Sequence, residues 1–212
     1  MCDPDNSELV HDRLVSLNRV GDAQVLLNDF QAAQVSFQAM VDAGNRLMEV
    51  DPYSTGWAYD LSLGLQRLGD AQARNGDLPG ALKSHQDCLN LRDWLVKQDG
   101  SSTVWYRSLA ISYKNVADIL ARQNDFATAL ANQQQSLALM RDLAAAFPDD
   151  PWYKIDVIEA LDVTSTLLQD GTAENQEALD ILLAMQASGT LPEGYEDWIP
   201  AFRKTLGLPP GP

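Results

Sequence analysis

Carboxylates are plentiful in this sequence, but nothing singles out a pair for acid–base work, and other groups suited to covalent or metal chemistry are few. Its 212 residues include two histidines, His11 and His85, and two cysteines, Cys2 and Cys88. They are scattered. No histidine pair stands at metal-ligand spacing, no glycine-rich segment could cradle a phosphate, and no Ser/Cys–His signature is present. Two lone cysteines make neither a disulfide framework nor a cysteine-rich metal site. The expectation is a non-enzymatic protein with no cofactor and no metal. What remains is recognition by charge and hydrogen bonding. Arg19, Arg67 and Asn115 form one row at a spacing of 48 residues, and Asp22, Asp70 and Asp118 form another. Asn18, Gln66, Arg74, Lys114 and Arg122 flank these rows. Arginine and lysine attract carboxylates, and a cluster of them gains weight in a chain of net charge −15. The same negative charge argues against nucleic acid and anionic membranes as partners, since both are polyanions.

The spacing of these rows is that of an internal repeat. Trp57, Trp105 and Trp152 stand 48 and 47 residues apart, and Arg19–Gln24 recurs as Arg67–Gln72. Aligned without a gap, Trp57–Gly100 and Trp105–Pro148 share 12 identities in 44 positions. Within each unit, Trp57, Leu61, Leu65 and Leu68, or Trp105, Leu109, Tyr113 and Val116, recur at the three- and four-residue spacing of one helical stripe. A second stripe runs through Ala81, Leu82, His85, Cys88, Leu89 and Leu95. Between the two stripes stand Asn28-Asp29, Gly76-Asp77 and Asn124-Asp125. Asn or Gly can end a helix in the left-handed conformation, and Asp can cap the next one. Each unit is therefore a pair of helices of about 20 residues, roughly 30 Å long. His85 and Cys88 fall on the apolar stripe and read as packing residues, as do the unit-opening tryptophans.

This pattern predicts a polar tail at 1–8, an array at 9–188 with units 9–56, 57–104, 105–151 and 152–188, and a capping segment at 189–212. The fourth unit has lost its Gly-Asp pair, as terminal units of a stacked array often do. Its second helix is expected at about Glu174–Ala187. Trp198, Phe202 and Leu206, four residues apart, predict a short helix over the end of the last pair, and Pro209-Pro210-Gly211-Pro212 cannot continue it. The segment 149–212 carries 12 acidic and 3 basic residues. That distribution suits either a solvated end or docking to a basic partner.

The strings Leu65, Leu68-Gly69, Gly76-Asp77-Leu78, Ala81, His85, Cys88 and Leu17, Val20-Gly21, Asn28-Asp29-Phe30, Ala33, Phe37, Met40 resemble the tetratricopeptide repeat. The third unit follows with Tyr113, Val116-Ala117, Asn124-Asp125-Phe126, Ala129, Gln133 and Ser136. The resemblance implies an all-α fold, a right-handed superhelical α-solenoid of antiparallel helix pairs closed by a C-terminal capping helix. Units of 48 residues exceed the family's common length of 34 by about two turns per helix and look like those of bacterial signalling and scaffold proteins. The resemblance further implies that the first helices line a concave groove. Asn18, Arg19, Asp22, Gln66, Arg67, Asp70, Arg74, Lys114, Asn115, Asp118 and Arg122 would then face a bound peptide or protein. Lys114 and Asn115 fit the carboxylate clamp of chaperone-binding members, whereas the aspartate row opposes it.

The sequence alone admits a blander account of the same residues. Arg67 lies three before Asp70, Arg74 four after it, and Asp118 and Arg122 four apart, which is ion-pair spacing on one helix. Three function classes follow: a scaffold that binds a peptide or protein partner in its groove, a self-assembling structural or regulatory protein whose partner is another copy, and, most remotely, a helical enzyme or small-ligand binder. No basic start with an apolar run and no 18-residue apolar stretch is present, which predicts a soluble, cytoplasmic protein without a membrane span.

Overall fold

The computed structural model describes residues 7–209; Cys2, the first residues of the polar tail and the final Pro-Gly-Pro lie outside them. The described residues are all-α, with nine helices: α1 (Ser7–Leu26), α2 (Phe30–Val50), α3 (Thr55–Arg74), α4 (Leu78–Gln98), α5 (Thr103–Arg122), α6 (Phe126–Ala146), α7 (Pro151–Leu167), α8 (Thr172–Ala187) and α9 (Trp198–Thr205). They fall into two compact units, Met1–Gln123 and Asn124–Pro212, described separately below.

Local chemistry starts and stops these helices where the sequence places the breaks. Asn28, Gly76 and Asn124 adopt φ of +58°, +86° and +65°. The following Asp29, Asp77 and Asp125 cap α2, α4 and α6 by accepting from the amides of Ala32, Gly80 and Thr128 at 3.0, 3.0 and 3.2 Å. Two further serines, Ser54 and Ser102, cap α3 and α5 at the amides of Trp57 and Trp105. The repeat extends to single hydrogen bonds: Ser36 donates to the Gln24 side-chain carbonyl and Ser84 to that of Gln72, each at 2.7 Å.

In the first unit each helix from α1 to α4 packs on its successor. One core joins Leu14, Phe37, Met40, Leu47, Leu61 and Leu68, with Trp57 and Leu65 partly buried against it. Close approach of α3 to α4 depends on Gly69, where a Cβ would stand 2.8 Å from the His85 ring; Gly21 leaves the corresponding space for Phe37. In the second unit α6, α7, α8 and α9 pack in order around Ile158, Leu161, Leu179 and Leu182. The terminal helix α9 buries Ile199 and Phe202, while Trp198 and Leu206 are half-buried. Trp198 stacks edge-on against Tyr195 at 4.9 Å.

Candidate functional site

All eleven residues of the predicted site lie in the first unit, on α1, α3 and α5. The 48-residue period becomes adjacency between α1 and α3, where the Arg67 guanidinium lies 3.7 Å from the Asp22 carboxylate. Local spacing points Arg67 to Asp70, but its ion-pair partner sits on the neighbouring helix. Both side chains are more than two-fifths exposed, so this pair is worth at most about 1 kcal/mol. Between α3 and α5, Arg122 Nη2 donates to the Ala73 carbonyl at 2.8 Å, satisfying an oxygen of the last turn of α3. Arg122 also keeps its intrahelical partner Asp118, at 3.8 Å. Arg74 lies 5.7 Å over the Phe30 ring, a cation–π contact.

Asp70, Arg74, Asn115, Asp118 and Arg122 line one polar cleft of 230 Å³, with Ala73, Ile119 and His85 completing its wall. The remaining site residues are not in it. Arg19 and Lys114 are exposed, Asn18 is half-buried, Asp22 and Arg67 pair across α1 and α3, and Gln66 turns to Arg92.

The electrostatics of the cleft follow from His85. Its side chain is 3% exposed, and its Nε2 stands 3.5 Å from Asp70 Oδ1. Burial, with help from the Arg92 charge, lowers the imidazole pKa to about 4. Asp70 keeps 42% of its side-chain surface open, yet its carboxyl sits in a recess. Burial raises its pKa to about 6, opposed by Arg67, Arg74 and Arg92 and reinforced by Asp118. At neutral pH the contact is thus a neutral imidazole beside a carboxylate rather than an ion pair. The His85 Nδ1 is buried without a hydrogen-bond partner.

Behind the cleft lies a polar core centred on Arg92, which is 2% exposed. Its Nε donates to Ser62 Oγ at 3.2 Å, Nη1 to the Ser108 carbonyl and Ser112 Oγ at 3.0 Å each, and Nη2 to Gln66 Oε1 at 2.7 Å. Cys88 Sγ donates to the Ser62 carbonyl at 3.2 Å, and burial pushes its thiol up. One buried side chain of α4 thereby ties together α3 and α5. The sequence carries a signal for this burial: Arg92 follows His85 and Cys88 at the spacing of the buried stripe, where Gly44 and Met140 stand in the flanking repeats.

Two further features depart from the sequence reading. Trp57 and Trp105 are half-buried, but Trp152 is 54% exposed. It meets Tyr195 edge-on at 6.1 Å, at the start of α7 rather than beneath a neighbouring helix pair. A larger groove of 620 Å³ opens over α3 between the second helices α2 and α4, and Lys83 lines it beside Gln38, Asp87 and Trp94. Among the described residues, no helix is long and apolar enough to cross a membrane.

No protein-family model matches the chain, and no curated protein matches it. Among solved structures it is similar to BtubC (BKLC) from P. vanneervenii, with 15% identity and a TM-score of 0.33 over 96% of this chain and 94% of that one. It is also similar to the MamA protein, with 17% identity and a TM-score of 0.38 over 95% of this chain and 100% of that one.

Proposed function

We propose that this chain is a non-enzymatic scaffold of the tetratricopeptide-repeat type that binds an acidic segment of a peptide or protein partner on the face formed by α1, α3 and α5. One observation carries the reading. On that face, Arg67, Arg74 and Arg122 are held by a carboxylate, a ring and a backbone carbonyl, while Arg19 and Lys114 are exposed and make no hydrogen bond or ion pair. Two uncommitted cations among paired neighbours are free to meet carboxylates; the helices fix where their backbones stand, so ordering on binding is confined to the two side chains. The aspartates between them select against densely acidic ligands and favour a segment whose carboxylates are spaced apart.

The test is binding of fluorescein-labelled acidic 12-residue peptides to the full chain at low and high salt. Binding that weakens with salt and is lost in Arg19→Glu/Lys114→Glu, while Arg46→Glu on α2 binds normally, supports the reading. Equal affinity in both variants rejects it. Light scattering during the same titration addresses the alternative, self-association, which raises the mass without any peptide.

A further inference from the structure

The second unit carries an apolar cleft of 470 Å³ between α6 and α8, over α7. That volume lies within the roughly 300–1,000 Å³ common for ligand sites. Its apolar lining is Val157, Ile181, Met185 and the small residues Ala144, Ala145 and Ala184. The cleft exists partly because α6 is trimmed there: Ala144 occupies the repeat position held by Met48 and Val96 in the preceding units.

The charges at this cleft run against those of its surroundings. The second unit contains 14 acidic and 4 basic residues, yet two of those four cations, Arg141 and Lys154, line the cleft. Arg141 is satisfied, spanning from α6 to Glu177 on α8 with both ends of its guanidinium fork, one contact at 3.2 Å. Lys154 makes no hydrogen bond or ion pair and is half-buried. With Arg141 and Glu177 cancelling, the cleft presents apolar walls and one unanswered positive charge. The corresponding groove of the first unit is lined instead by Gln38, Asn45, Lys83, Ser84, Asp87 and Asn90 among its apolar residues, so this combination is not a property of the repeat itself.

We propose that the α6–α8 cleft is a docking site for a short peptide segment that places an apolar side chain beside a carboxylate. The apolar side chain displaces water from the alanine-lined walls. The carboxylate pairs with Lys154, in an environment less screened than open solvent. The site is separate from the α1–α3–α5 face and does not depend on it.

The experiment uses the full chain and two sets of fluorescein-labelled 12-residue peptides. Both sets present Leu, Ile, Met or Phe at one position. One set carries Asp or Glu in the neighbouring positions, the other Lys. Anisotropy measures affinity, and the ¹³C-methyl signals of Ile181 and Met185 report whether the cleft is occupied. The expected result is that acidic–apolar peptides bind and shift both methyl signals. Lys154→Glu should weaken them about tenfold and admit the Lys-bearing set instead. Ala144→Trp, which fills the cleft, should abolish binding of both sets; circular dichroism confirms that each variant is folded. Binding of neither set, binding without methyl shifts, or equal affinities in wild type and Lys154→Glu overturns the proposal.

Discussion

His85 Nε2 stands 3.5 Å from Asp70 Oδ1, and the two groups are shifted in opposite directions, the imidazole down to about 4 and the carboxyl up to about 6. Their contributions to acid stability therefore oppose one another. As pH falls from the ordinary histidine value of about 6.5 towards 4, folding is penalised because the buried imidazole resists a proton that the unfolded chain accepts. As pH falls through about 6 towards 4, folding is favoured because Asp70 takes up a proton more readily than in the unfolded chain. Arg67, Arg74, Arg92 and Asp118 are the charges that set this balance at Asp70, and Arg92 contributes at His85. Asp70→Asn removes the favourable half, so relative to wild type its stability should fall more steeply between about pH 6.5 and 4. His85→Phe should show the reverse slope. Urea midpoints across that range check both; parallel curves for all three proteins would refute the pairing.

Gly69→Ala places a methyl group 2.8 Å from the His85 ring. The ring is enclosed, so the expected cost is about 1–3 kcal/mol from overpacking. His85→Ala in the same chain should recover part of that loss, because the two sites share one space. Additive costs in a double-mutant cycle would mean that the ring moves aside freely.

Arg92 fills a buried position and donates four hydrogen bonds, with no carboxylate among its direct partners. Arg92→Ala leaves both a cavity and unpaired acceptors, and should cost about 2–5 kcal/mol. Arg92→Met keeps most of the volume and removes the desolvated charge, so its cost should be clearly smaller. Chemical denaturation of the two variants distinguishes a residue that mainly fills space from one whose charge is required.

Asp77 accepts from the Gly80 amide at 3.0 Å and caps α4. Asp77→Ala should lower stability by about 0.5–2 kcal/mol, and Asp77→Ser should restore most of it. Thermal melts of the pair provide the check, because loss of the turn itself would leave serine as damaging as alanine.

Phe202 and Ile199 are the buried side chains of α9. Phe202→Ala should cost about 3–5 kcal/mol if α9 melts together with α7 and α8. Removal of residues 191–212 should expose an apolar surface on α8 and increase binding of a hydrophobic dye. A truncated chain of unchanged stability that binds no dye would show that α9 is an accessory.

The features legible in the sequence are those decided by residues close together in the chain. Asn28, Gly76 and Asn124 end helices in the left-handed conformation, and Asp29, Asp77 and Asp125 start the next ones. A cap and its amide are three residues apart, so local order suffices to specify them. The periodic stripes likewise identified His85 and Cys88 as inward-facing. The choice of partners was a different matter. Arg67 has Asp70 within one helical turn but pairs with Asp22, 45 residues away, because α1 and α3 both pack on α2 and that brings the carboxylate into reach. Arg92, read from the sequence, is a charge that solvent should claim; only the meeting of α3, α4 and α5 supplies the serines, the glutamine and the carbonyl that make its burial tolerable. The opposite shifts of Asp70 and His85, the exposure of Trp152 and the cleft beside Lys154 belong to the same class. Desolvation and cavity shape depend on which distant residues enclose a group, and that is decided when the helices pack.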